Sequence, residues 1–113
     1  MLKRSIWDPG VMLPAGTEKM LVDEAEAETI AVGCVVVGPG ECTTARVHAD
    51  EEEVYVVLSG RAEVTVGDEC EEAAPGDVIY VPRNKNHFLK CISDKNLEYL
   101  YFANWPDAFK INE

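Results

Sequence analysis

Only two histidines, His48 and His87, occur in the 113 residues, so any chemistry that depends on imidazole has just those positions to use. Positive charge is scarce as well: ten Lys and Arg stand against 21 Asp and Glu, a formal net charge of -11. Such a chain repels nucleic-acid phosphates and anionic lipid headgroups, which argues against either as a partner. Long hydrophobic runs are missing. The longest apolar stretch, Ile30 to Val37, is far too short to cross a bilayer, and Asp8 and Pro9 interrupt the first segment before a signal-peptide core can form. A cytoplasmic protein with no membrane partner is the expectation. The cysteines Cys34, Cys42, Cys70 and Cys91 include no CxxC pair, and a chain this rich in aliphatic residues needs no covalent staples. Buried free thiols are expected from them. No Gly-rich phosphate loop, nucleophile elbow or redox cysteine pair is present.

What is present is a series of short β-rich runs separated by turn residues. The pattern predicts strands over 20–22, 30–37, 43–48, 54–59, 62–66, 69–73, 77–81, 87–92 and 97–103, with one turn of helix over 106–110. Gly38-Pro39-Gly40, Ser59-Gly60-Arg61, Val66-Gly67-Asp68 and Pro75-Gly76 punctuate them, each able to take the backbone a tight turn requires. Many short strands at even spacing indicate an all-β antiparallel sandwich or barrel, and the length fits one domain over 1–113.

Two segments carry more. In the first, Gly40, His48, Glu53 and Gly60 follow one another at spacings of eight, five and seven; in the second, Gly76, Pro82 and His87 are spaced by six and five. Together they resemble the two motifs of the cupin family, within 40–91. Three positions depart from the pattern: Arg46 stands for the first histidine, Asn84 for the glycine of the turn and Cys91 for the terminal asparagine. Asn tolerates a left-handed backbone as Gly does, so the turn survives the change. The resemblance implies a double-stranded β-helix, or jelly-roll barrel, of six to nine antiparallel strands whose lumen holds a small polar molecule. It also implies that His48, Glu53 and His87 are metal ligands and that the chain pairs as a homodimer. Ile6, Trp7 and Val11 would give the N-terminal segment an apolar face for that pairing.

Strand alternation places Thr44, Arg46 and His48 on one face and Glu53, Tyr55 and Val57 on another. Across a hairpin closed by 49–52, His48 and Glu53 would oppose each other. The cysteines are poor ligand candidates because Cys42 and Cys91 lie too far along their strands from the histidines. Glu53 belongs to the acidic run Asp50–Glu53, which otherwise reads as a solvated loop; its register with Tyr55 and Gly60 singles it out.

Arg46 leaves two outcomes open, because a guanidinium has no lone pair to offer a metal. Either it turns away and two histidines and one carboxylate hold Fe, Mn, Ni or Zn, or it pairs with Glu53 in place of the ion. In both, Arg46 is a candidate for holding a substrate carboxylate or phosphate, and Tyr55 for orienting a polar ligand. The functional expectations are correspondingly two. One is a metal-dependent cupin acting on a sugar or small organic acid as an isomerase, lyase or dioxygenase. The other is a metal-free, non-catalytic binding or sensing module. Whether the chain is an enzyme stays open, and no residue is assigned a catalytic role.

Overall fold

Runs of β-branched and aromatic residues build nine strands in the computed structural model, which describes residues 1–9, 11–13 (backbone) and 16–105. They are β1 (Val11–Leu13), β2 (Gly16–Val22), β3 (Ile30–Val37), β4 (Glu52–Ser59), β5 (Ala62–Val66), β6 (Glu69–Ala73), β7 (Val78–Val81), β8 (His87–Cys91) and β9 (Leu97–Asn104). A six-stranded sheet has the order β1-β2-β3-β9-β4-β7 and a three-stranded sheet the order β6-β5-β8, every pairing antiparallel. This is the expected all-β jelly roll. Among the described residues no helix is long and apolar enough to cross a membrane. The helical turn expected over 106–110 lies outside the described residues.

The inner face of the large sheet is built in rows that register makes explicit. Val57 lies beside Tyr99, and Tyr99 beside Val35; one step along, Tyr55 lies beside Tyr101, and Tyr101 beside Gly33. At the next step, Glu53 neighbours Ala103, which neighbours Ala31. The rows therefore run from apolar and well filled to small and polar. Val37, Val57, Leu89, Leu97 and Cys91 are completely enclosed at the filled end, each aliphatic side chain there contributing about 1.5–3 kcal/mol by leaving water. At the other end the methyl groups of Ala31 and Ala103 leave room beside Glu53, and a cavity opens there.

Across the layers, β8 turns His87, Leu89 and Cys91 inward, in register with Val66, Val64 and Ala62 of β5. The turn before it holds Asn84 at φ 63, the left-handed backbone expected of that position. Gly60, at φ 75, closes the β4–β5 turn; a Cβ there would lie 2.3 Å from the Asn96 carbonyl oxygen, so a side chain is excluded twice over.

One expected strand is not regular. Over 43–48 there is no continuous ladder, only isolated bridges from Cys42 to Lys90 and from Arg46 to His87. Between those bridges one chain advances four residues and the other three, so the segment carries an extra residue in the manner of a bulge. The Thr43 side chain marks the break: its Oγ1 accepts the Leu89 N–H at 2.9 Å, replacing a backbone carbonyl. The segment thus borders β8 on the small sheet and does not pair with β4. In the other direction, β1 and the first part of β2 escape the sequence pattern because Gly16, Glu18 and Lys19 break its apolar alternation.

Candidate metal centre

His48 and Glu53 meet across the two sheets, which corrects the expected hairpin pairing. The residues 49–52 carry the chain from the edge of the small sheet into β4, so the histidine enters from one layer and the carboxylate from the other. His87 completes the set from β8. One ligand atom from each of His48, Glu53 and His87 lies within 4.8 Å of the others. The imidazole centroids are 5.1 Å apart and tilted by 45°. All three residues line a cavity of about 460 Å³, together with Arg46, Glu51 and Tyr55.

Each ligand candidate is held by a neighbour. His87 is buried, and its Nδ1 sits 2.9 Å from the Lys85 carbonyl, which can only accept; the Nδ1 proton is thereby fixed and Nε2 faces Glu53 Oε2 at 3.2 Å. The hydrogen bond to Glu53 holds the imidazole above its ordinary pKa, against the downward push of burial. Burial pushes the Glu53 carboxyl up, but the hydrogen bonds it accepts from His87 and Tyr55 outweigh that and keep it below the usual carboxylate range. Tyr55, 5 % exposed, donates its hydroxyl to Glu53 Oε2 at 2.8 Å. That places Tyr55 on the cavity wall with its hydroxyl directed to Glu53. His48 Nδ1 lies 3.3 Å from Glu51 Oε1.

The donor set fits a divalent transition metal. Two imidazoles and a carboxylate suit Fe(II), Mn(II), Ni(II) or Zn(II), and the bond from His87 Nδ1 to a backbone carbonyl is the outer support that a metal-binding histidine needs to present Nε2.

Arg46 lines the same cavity and sits opposite His87 in an exchanged pair of backbone hydrogen bonds, 2.9 and 3.2 Å. Among the described residues Glu53 pairs with His87 and Tyr55 and not with Arg46, so the arrangement in which Arg46 replaces the ion by pairing with Glu53 is not the one the chain adopts. Residues that escaped sequence reasoning also shape the site. Tyr101 donates to Glu18 at 3.0 Å, and its ring lies over Gly33, where a Cβ would come within 2.4 Å of it. Of the remaining aromatics, Tyr99 is buried against Tyr55, whereas Tyr80 is exposed on the outer face of β7 and donates to Glu52. The cysteines divide: Cys34 and Cys91 are buried free thiols as expected, and Cys42 and Cys70 are exposed. Both exposed cysteines lie at the margins of the small sheet, Cys42 in the bulged segment and Cys70 on β6.

The family model for the cupin domain matches residues 33–102. This chain belongs to the cupin family. It is 40 % identical to an uncharacterized protein of Streptomyces coelicolor over 79 residues, which cover 70 % of this chain and 73 % of that one. It is also 37 % identical over 65 residues to mannose-1-phosphate guanylyltransferase 2 of Escherichia coli, covering 58 % of this cupin and only 14 % of that enzyme. Among solved structures, a protein of Thermus thermophilus superposes with a TM-score of 0.79 at 21 % identity, over 92 % of this chain and 97 % of that one. That likeness concerns the fold.

Proposed function

We propose that this cupin binds one divalent transition-metal ion through His48, Glu53 and His87 and uses it on a sugar or small organic acid, as an isomerase, lyase or dioxygenase. The observation that carries the reading is the convergence of three donor atoms within 4.8 Å at one end of a cavity of about 460 Å³. A bound ion would act there as a Lewis acid on a ligand oxygen. The protein's own residues do the rest. Tyr55 keeps Glu53 ionised and aimed, the Lys85 carbonyl keeps the His87 Nδ1 proton in place, and Arg46 offers its guanidinium fork to a carboxylate or phosphate on the ligand. A sugar phosphate combines both kinds of group. The similarity to part of a mannose-1-phosphate guanylyltransferase supports that class of ligand, and a free cytoplasmic protein fits the four free cysteines.

One observation favours a second reading, a metal-free binding module. Glu53 and His87 already satisfy each other at 3.2 Å without an ion. Calorimetric titration of chelator-stripped protein with Mn(II), Ni(II) and Zn(II) decides between them. The metal reading expects one ion bound per chain, lost in His87→Ala. It expects roughly tenfold tighter binding in Arg46→His, about 1.4 kcal/mol, because an imidazole donor replaces a fixed positive charge. Wild-type protein that takes up none of the three ions sinks the metal reading and leaves the binding module.

A further inference from the structure

Glu51 occupies no position of the cupin motifs, yet it is the least solvent-like member of the acidic run apart from Glu53 itself. Its side chain is only 12 % exposed. It lines the cavity, and its Oε1 is 3.3 Å from His48 Nδ1. Flanking Asp50 is exposed and Glu52 points to the outer face, where it accepts from Tyr80. A loop carboxylate that is drawn inward against a histidine, while its neighbours face outward, needs a reason, since burying it removes hydration.

We propose that Glu51 is a positioning residue of the metal centre, acting through His48. This rests on the reading of His48, Glu53 and His87 as metal ligands. A carboxylate accepting from Nδ1 fixes the imidazole in the tautomer whose Nε2 carries the lone pair, and it also fixes the ring's orientation. His87 has this support from the Lys85 carbonyl, a backbone group supplied by the turn before β8. His48 lies just beyond the bulge, outside any continuous ladder, and among the described residues no backbone carbonyl is found on its Nδ1. A side chain therefore supplies for His48 what the backbone supplies for His87. Glu51 also adds a second carboxylate beside Glu53, in a centre where Arg46 stands in place of a further histidine ligand.

Two measurements test this separately from the metal reading. The first uses metal-free protein at alkaline pH, where long-range ¹H–¹⁵N correlation spectra assign the proton on each imidazole nitrogen. Wild type and Glu51→Gln should show His48 protonated on Nδ1, because the Gln carbonyl also accepts, while Glu51→Ala should show a mixture of tautomers. His87 should be unchanged in all three. The second is calorimetric titration with Zn(II) alone: Glu51→Ala should bind roughly 10–100-fold more weakly than wild type, with Glu51→Gln between them. If wild type takes up none of Zn(II), Mn(II) and Ni(II), the metal reading falls while the tautomer result still supports or overturns the pairing. If wild type binds Zn(II) and Glu51→Ala keeps both the single tautomer and the affinity, Glu51 has no positioning role. Glu51→Gln, isosteric and uncharged, preserves the test should the alanine variant fold poorly.

Discussion

Tyr55→Phe removes one oxygen atom from an enclosed polar contact at the candidate metal centre. The ring is 5 % exposed, its hydroxyl donates to Glu53 Oε2 at 2.8 Å, and the Glu53 side chain is itself 11 % exposed. Because the donor disappears with the substitution, no unsatisfied hydroxyl is left behind; what is lost is a hydrogen bond to an ionised acceptor. Such bonds contribute about 1.5–3 kcal/mol. In a domain of this size each kcal/mol shifts the melting temperature by roughly 4 °C, so the variant should melt about 6–12 °C lower. The difference should be present at neutral pH and fade as pH falls below about 4.5, where Glu53 gains its proton in both proteins and no longer needs the donor. The control is Tyr80→Phe. Tyr80 makes the same kind of bond, to Glu52 at 3.1 Å, but from the exposed outer face, where water replaces it; no resolvable shift is expected. Thermal unfolding followed by circular dichroism in chelator-treated protein reads both. A Tyr55→Phe variant that melts within about 2 °C of wild type at pH 7, by the same size scaling, would refute the view that the hydroxyl holds Glu53.

Metal-free protein should be most stable near about pH 5 and should lose stability as pH rises from there. Glu53, held low, contributes stability that is lost as pH drops through its depressed pKa. His87, held high by its hydrogen bond to Glu53, contributes stability that is complete below about 6.5 and lost as pH climbs through the raised value. Burial pushes Glu51 up to about 7, so its penalty builds from about pH 4.5, where the unfolded carboxyl ionises, and is complete above about pH 7. Saturating Zn(II) should reverse the alkaline arm, since ligands bind the ion only when deprotonated; thermal-shift profiles with and without the ion check this, and a metal-free profile rising steadily from pH 5 to 8 contradicts it. A homodimer is also expected, and the outer face of the large sheet offers an apolar surface for it. There Tyr80, Val54, Phe102 and Val32 form one apolar row and Val78, Val56 and Leu100 a second, uncharged in a chain of net charge -11. Sedimentation equilibrium should give twice the chain mass for wild type and a monomer for Val78→Lys with Tyr80→Lys; a monomeric wild type at micromolar concentration refutes it.

The identities of His48, Glu53 and His87 were legible because turn residues at fixed spacing anchor them: Gly60 lies seven residues beyond Glu53 and Asn84 three before His87, both at positive φ. How the three meet was not legible. Alternation assumes a regular ladder, and a single extra residue over 42–46, with a threonine hydroxyl standing in for a carbonyl, is invisible to a period-two pattern. That irregularity moves His48 from a hairpin partner of β4 to the margin of the opposite sheet. Glu51 escaped for a different reason. In sequence, a run of four acidic residues looks like a solvated loop, and only the direction of each side chain separates the one that turns inward. The cavity itself left a readable trace in Ala31 and Ala103, the small residues of the Glu53 row; Gly33, one row away, is covered by the Tyr101 ring. Small residues beside a buried carboxylate make room that a well-packed core would not leave. In this fold they reveal the site from the side opposite its ligands.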